Sequence, residues 1–220
     1  PGRAEVTVLP PSRPKEAPAP LPCAEKSPLG RKLRRKFVVS VELDPPRGAD
    51  PGAIIERAQF CKENEIDAIN VADGPRASAR MSAQALCILL QEKVGIDTIL
   101  HYTCRDRNLL GIQSDLLGAH ALGLRNILAI TGDPPKLGDY PDATAVFDVD
   151  SIGLTNVVAR LNRGLDVGQQ SIGQPTAFHI GVALNPGAAD VEEEVRRFRY
   201  KVEAGAEFAI TQPVFDAAGF

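Results

Sequence analysis

The sequence predicts a parallel α/β fold, a (β/α)8 TIM-type barrel truncated after about six strands. Three observations lead there. From Phe37 onward, short β-branched runs alternate with amphipathic stretches. Successive runs begin about every 30 residues, the length of one strand–helix unit. The runs are also apolar enough to be buried on both faces, as the strands of a parallel sheet are. An open doubly wound sheet competes with the barrel on the same observations.

Taken in order, residues 1–30 carry Pro10, Pro11, Pro14, Pro18, Pro20, Pro22 and Pro28 among Ala, Glu and Lys. This mixture favours extended segments, so a semi-rigid interdomain linker is expected, with the barrel occupying 31–220. The chain opens without an initiator Met, which suggests a longer parent. The basic cluster of Arg31, Lys32, Arg34, Arg35 and Lys36 reads as a solvated lead-in to the first strand.

The expected strands are Phe37 to Leu43, Ala68 to Val71, Thr98 to Tyr102, Asn126 to Ile130, Ala177 to Leu184 and Phe208 to Thr211. Between them, helical faces are formed by Ile54, Ile55, Ala58 and Cys61, then by Met81, Ala85, Leu86, Ile88 and Leu89, then by Leu109, Ile112, Leu116 and Leu117. Asp50 followed by Pro51 suits a helix start, because the carboxylate caps free amides and proline lacks an N–H that would otherwise be orphaned. Asn108 caps the third helix. Asp190 with Glu193 makes an approximate capping box for a helix whose apolar side is Val191, Val195, Phe198 and Val202, and Gly205 suits its exit. The stretch from Thr131 to Pro175 is too long for a plain connection; it holds a helix through Ile152, Val157, Val158 and Leu161. Its segment from Leu137 to Asp150, with Tyr140 and Phe147, reads either as a cover over an elongated ligand or as a surface excursion.

Composition bounds the function. A chain of 220 residues, 44% hydrophobic, can bury one substantial core. A net charge of -3 and a pI near 5.7 supply no field for nucleic acid. No apolar run approaches the roughly 20 residues that span a bilayer, so no membrane partner is expected. Cys23, Cys61, Cys87 and Cys104 lack the paired spacing of a zinc site or a disulfide scaffold, which favours a reducing cytoplasm and no metal.

In a parallel α/β fold the ligand site lies beyond the carboxyl ends of the strands. Those ends are polar: Glu42, Asp73, His101, then Thr131, Gly132 and Asp133, then Asn185 and Gln212. Helix capping explains one or two of them, but poorly explains Glu42, His101 and Gln212. Glu42 precedes the rigid Pro45–Pro46 pair, which limits water around a carboxyl whose pKa would then rise toward that of a general acid; the alternative is an ion pair with Arg47. Asp133 follows Gly132, where backbone can approach a ligand closely, and reads as an acceptor for a ring N–H or as a plain turn residue. His101 reads as a ligand contact or a satisfied core histidine. Lys201 reads as a phosphate partner or a solvated lysine. No G-x-G-x-x-G or phosphate-binding P-loop occurs.

Four segments, taken with this order of strand ends, resemble the methylenetetrahydrofolate reductase family. They are Val39-Ser40-Val41-Glu42-Leu43-Asp44-Pro45-Pro46-Arg47, His101-Tyr102-Thr103-Cys104, Ala129-Ile130-Thr131-Gly132-Asp133-Pro134-Pro135, and Lys201 through Gln212. The resemblance implies an FAD-containing (β/α)8 barrel that reduces 5,10-methylenetetrahydrofolate to 5-methyltetrahydrofolate with NADH or NADPH as electron donor. It implies Glu42, Asp133 and Gln212 as catalytic and folate-binding residues, Glu42 being the general acid. It further implies His101, Thr131, Gly132, Asp133, Ala183, Asn185, Arg197 and Lys201 as FAD contacts. The second strand ends Ala72-Asp73 where a hydroxyl and an aromatic are usual, and the fifth ends Asn185-Pro186 where histidine precedes proline; Thr131 stands at a position where arginine occurs. These departures look more like the version fused behind a homocysteine S-methyltransferase domain, and a homo-oligomer is compatible with either. The competing expectations are a non-catalytic barrel remnant and another folate- or pterin-binding barrel such as a methyltransferase.

Overall fold

The computed structural model describes residues 18–215. Two short helices, α1 (Cys23–Lys26) and α2 (Pro28–Leu33), precede β1 (Ser40–Leu43) and α3 (Gly52–Glu63). There follow β2 (Ala68–Val71), α4 (Ala83–Lys93), β3 (Asp97–Thr103), α5 (Leu109–Ala121), β4 (Asn126–Ile130), α6 (Ser151–Leu161), β5 (His179–Leu184), α7 (Val191–Glu203) and β6 (Phe208–Thr211). The six strands form one parallel sheet in the order β1-β2-β3-β4-β5-β6. A doubly wound sheet reverses its strand order at a switch point; an unreversed order with a helix between every pair is that of the (β/α)8 barrel, to which these residues contribute six strands.

The sheet is buried on both faces, as its unbroken apolar runs require. Ile69, Val71, Leu100, Tyr102, Ile127, Ala129 and Ile180 point outward and pack on helical residues that include Ile54, Leu86, Leu90, Ile112, Leu116, Leu154 and Val158. Alternate positions point inward: Ala68, Ile99 and Leu128 meet Leu29 of α2, with Val38, Ile130, Phe208 and Ile210 around them. Each such leucine or isoleucine taken out of water contributes roughly 1.5–3 kcal/mol. The Phe208 ring fills the interior over Gly181, where a Cβ would lie 2.3 Å from a ring carbon.

Several boundaries differ from the sequence expectation. Residues 1–17 of the expected linker lie outside the described residues, but its end at residue 30 does not hold: α1 and α2 pack beneath the sheet, with Lys26 and Leu29 buried. Ser27 caps α2 by accepting from the Gly30 amide at 2.9 Å, and Pro28 occupies the first turn. Nor is the basic cluster wholly a solvated lead-in, because Lys36 and Lys32 lie 2.7 and 3.1 Å from the Asp67 carboxylate. The first strand begins at Ser40 rather than Phe37, which is exposed. Asn162 ties down Phe178 from α6 (2.8 Å to both its N–H and its C=O), so β5 starts only at His179. Asp50 does hold the Gly52 amide (2.8 Å), with α3 starting one residue later than expected.

The Asn108 and Asp190 caps form as read, accepting from the Gly111 and Glu193 amides at 2.9 Å each. The capping box at Asp190 is not reciprocal, because the Glu193 carboxylate turns to Arg196 instead (2.6 Å). The larger difference is in α7: Val191, Val195 and Val202 are exposed and Phe198 half-buried, while Lys201 is buried. Polar contacts hold this helix to the sheet, Lys201 Nζ donating to the Ala183 carbonyl (2.7 Å) and Arg197 pairing with Asp150 (2.9 Å).

Candidate functional site

Parallel strands bring their carboxyl ends to one rim, and there the chain forms a cavity of about 940 Å³, near the top of the range for small-molecule sites. Inward-pointing side chains supply its floor: Glu42 from β1, His101 and Thr103 from β3, Leu128 and Ile130 from β4, Ala183 from β5 and Ile210 from β6. The loops after β2, β4 and β6 form its walls through Asp73 to Arg76, Thr131 to Asp133 and Gln212 to Val214. Seven of the expected site residues thus meet in one cavity: Glu42, His101, Thr131, Gly132, Asp133, Ala183 and Gln212. Asn185, Arg197 and Lys201 do not line it. Asn185 makes a local turn with the Gly187 amide (3.1 Å), while Arg197 and Lys201 are engaged behind the rim as described.

Glu42 lies opposite Asn70 in the sheet register, and Arg47 pairs with Asp139 (3.1 Å) rather than with it. Glu42 stays exposed to the cavity rather than shut from water as the Pro45–Pro46 pair suggests. Partial desolvation at the wall, followed by repulsion from Asp44, nevertheless raises its pKa, the direction a general acid needs. His101 is buried and faces Asn70, its Nε2 lying 3.3 Å from Oδ1; the Asn70 amide donates to Ser40 Oγ (2.9 Å), leaving Oδ1 to accept from the ring. Burial pulls the His101 pKa down to about 4, against the opposing pull of Asp73 and Asp44, so the ring is neutral at physiological pH. Cys104 belongs to the outer core and its thiol, pushed up to about 12 chiefly by burial, donates to the Ile130 carbonyl (3.5 Å).

Gly132 has φ +93°, open to glycine at little cost, and a Cβ there would lie 2.9 Å from Thr103 Cβ. This close approach carries Asp133 to the cavity wall. Thr131 Oγ1 accepts from the Ser151 amide (3.1 Å), so its hydroxyl anchors the start of α6. A side groove shares Thr131 and Gly132 with the main cavity and continues past Pro134 to Phe147–Asp150. The carboxylates of Glu42 and Asp133 and the side-chain amide of Gln212 have no hydrogen-bond partner among the described residues, although the Gln212 backbone N–H donates to the Leu184 carbonyl (2.8 Å).

Sequence reasoning missed the polar frame beneath these groups. Asp73 accepts from the Thr103 amide and hydroxyl (3.0 Å each) and pairs with Arg107 (2.8 Å), joining the ends of β2 and β3. Arg105 is buried, lines the cavity and is chelated by Asp106. The alternating Arg105-Asp106-Arg107 that leaves a buried strand was the available signal. At the opposite end of the sheet Cys23, His179 and Glu207 come within 4.8 Å of one another, but Lys26 Nζ, 2.7 Å from Glu207, already neutralises that carboxylate.

The fold and its rim define a parallel β/α barrel with a ligand cavity at the carboxyl ends of its strands. Within that class, residues 29–220 match the model of the methylenetetrahydrofolate reductase family, and the chain belongs to that family. Among curated relatives, a 5,10-methylenetetrahydrofolate reductase of Pectobacterium carotovorum is 26% identical over 196 residues, covering 86% of this chain and 58% of the relative. A probable NADPH-type methylenetetrahydrofolate reductase of Caenorhabditis elegans is 31% identical over 188 residues, covering 82% and 26%. Methylenetetrahydrofolate reductase 1 of Schizosaccharomyces pombe is 28% identical over 156 residues, covering 69% and 24%. The chain thus spans from about a quarter to under three-fifths of the length of these relatives. Among solved structures, an uncharacterised Clostridium thermocellum protein that binds two copies of 5-methyl-5,6,7,8-tetrahydrofolic acid aligns with a TM-score of 0.58 at 15% identity, over 88% of this chain and 60% of that one. At that identity it attests the barrel fold alone.

Proposed function

We propose that this chain supplies the flavin- and folate-binding rim of an FAD-dependent methylenetetrahydrofolate reductase, which reduces 5,10-methylenetetrahydrofolate to 5-methyltetrahydrofolate using NADH or NADPH. The observation that carries the reading is the convergence of Glu42, Asp133 and Gln212, from β1, β4 and β6, on one cavity in a member of this family. The residues present fit a bound flavin at its ring end. Gly132 lets the backbone pass tight against Thr103 and Arg105 and so shapes the cavity wall, neutral His101 offers a buried polar edge, and the side groove toward Asp150 provides a path for an elongated molecule. Arg197 and Lys201 would reach phosphates only by leaving Asp150 and the Ala183 carbonyl. When bound, the flavin carries hydride from the nicotinamide to the folate methylene group.

The chain's own residues manage position and protons. Glu42, its pKa raised, donates a proton that opens the five-membered ring of the folate to the reactive iminium. Asp133 accepts from the pterin N–H groups, and the Gln212 side-chain amide, two strands along the rim, fixes the pterin from the end of β6. The proposal includes an upstream homocysteine S-methyltransferase domain, joined through the proline-rich start of the sequence, and a cytoplasmic place in methionine biosynthesis.

Glu42→Gln tests the reading. Flavin reduction by nucleotide should stay near the wild-type rate while flavin oxidation by methylenetetrahydrofolate slows by about 10²–10⁴-fold, the usual contribution of a general acid. Equal loss in both half-reactions under anaerobic stopped flow would remove Glu42 from the role given to it, and a purified protein without flavin absorbance would refute the reductase reading.

A further inference from the structure

Arg105 leaves the end of β3 as a buried cation, its side chain only 6% exposed, on the wall of the ligand cavity. Nothing in the reductase reading uses it. Its guanidinium makes contacts in three directions: Nε and Nη2 grip the Asp106 carboxylate at 2.7 Å each, while Nη1 donates to the Gly74 carbonyl at 3.2 Å and, more weakly, to the Asp133 carbonyl at 3.5 Å. Its own carbonyl accepts from the Val146 amide (2.9 Å), holding the long excursion after β4. The neighbouring backbone is shaped around it. Gly74 has φ +54°, and a Cβ there would lie 2.5 Å from Nη2; a Cβ on Gly132 would lie 3.3 Å from Arg105 Cβ.

We propose that Arg105 is a positioning residue of the site, drawing the loops after β2, β3 and β4 onto one buried point and so fixing where Asp133 stands in the cavity. A planar fork suits this task. It presents five N–H groups in fixed directions, of which four are engaged here, and its charge stays on at any relevant pH. A lysine keeps the charge but not the directions. Holding Asp133 matters because small displacements of a binding group cost large factors in rate. The inference rests on the reductase reading for what Asp133 does, but not for what Arg105 holds.

The test uses the full chain as wild type, Arg105→Gln, Arg105→Lys and Asp106→Asn. Amide hydrogen exchange is read at residues 74–78 and 131–133, with kinetics of the two half-reactions beside it. Both Arg105 variants should exchange about tenfold or more faster in these two segments alone, with Asp106→Asn following in the same direction. The KM for methylenetetrahydrofolate should rise about tenfold while flavin reduction by nucleotide stays within about twofold. Unchanged exchange in the variants overturns the proposal, as does full restoration of protection by lysine, since charge alone would then suffice. If Arg105→Gln does not fold, the other two variants decide. If the wild type carries no flavin, the reductase reading fails, and the exchange measurement still decides the role of Arg105.

Discussion

The two ends of the same sheet differ in how completely they answer their charged groups. At the base, beneath the amino ends of the strands, acids are answered by the chain itself: Glu207 by Lys26, Asp67 by Lys32 and Lys36, and Asp97 by the Leu29 amide and the Asn126 side chain. At the rim, Asp73 is answered by Arg107 and Asp106 by Arg105, yet Glu42, Asp133 and the Gln212 side chain project without a partner among the described residues. A buried acid with its partner in place is costly to strand, whereas an unanswered acid beside a cavity is a candidate binding group. The base of this molecule therefore ties its acids into the fold, while part of the rim stays unengaged.

The contrast can be broken most directly at Lys26. Lys26→Met strands Glu207 beside the buried His179 and should lower unfolding free energy by about 3–5 kcal/mol in chemical denaturation, with ligand affinity of the folded fraction unchanged. Glu42→Gln at the rim should shift the same measurement by less than about 0.5 kcal/mol. A large effect at Glu42, or none at Lys26, would erase the distinction between the ends.

Acid sharpens it next. His101 at the rim and His179 at the base both have pKa values lowered to about 4, chiefly by burial. Unfolded histidine takes up a proton near pH 6.5 while the native ring resists to about 4, so this stability is complete above 6.5 and is lost as the pH falls toward 4. Each ring contributes about 3 kcal/mol to that loss. His179→Gln should flatten the slope of the unfolding midpoint between pH 6.5 and 4.

Asp67 follows in a lower window. Burial alone would raise its pKa, but Lys36, the Val39 amide and Lys32 outweigh burial and bring it down to about 2. Its contribution of about 2 kcal/mol is present above pH 3.8 and lost only as the pH falls through about 2. The smallest expected effect is that of Asn108→Ala, which removes the cap of α5 and should cost about 1 kcal/mol with no change at either end of the sheet.

Much of this was legible from periodicity. Strand ends at Glu42, His101, Gly132 and Gln212 could be placed because a parallel β/α array has only one rim on which polar ends converge. What stayed hidden depends on contacts distant in sequence. Prolines at 20, 22 and 28 disguised two helices whose stability comes from docking on Glu207 and Asp97 rather than from their own composition. The apolar stripe of α7 was a correct pattern with the wrong conclusion, since Arg197 and Lys201 bind the helix through Asp150 and a strand carbonyl. Arg105 announced itself only through the alternating charges of residues 105–107; that it also reaches Gly74 and Asp133 depends on loops far apart in sequence that meet only in the folded sheet.

The clasp between Lys26 and Glu207 joins residues separated by 181 positions. A ribosome adding about 5–20 residues per second makes the lysine roughly 10–40 s before its glutamate exists. This one clasp therefore closes only after β5 and α7 have been made, although the contacts of α2 with Asp97 can form earlier.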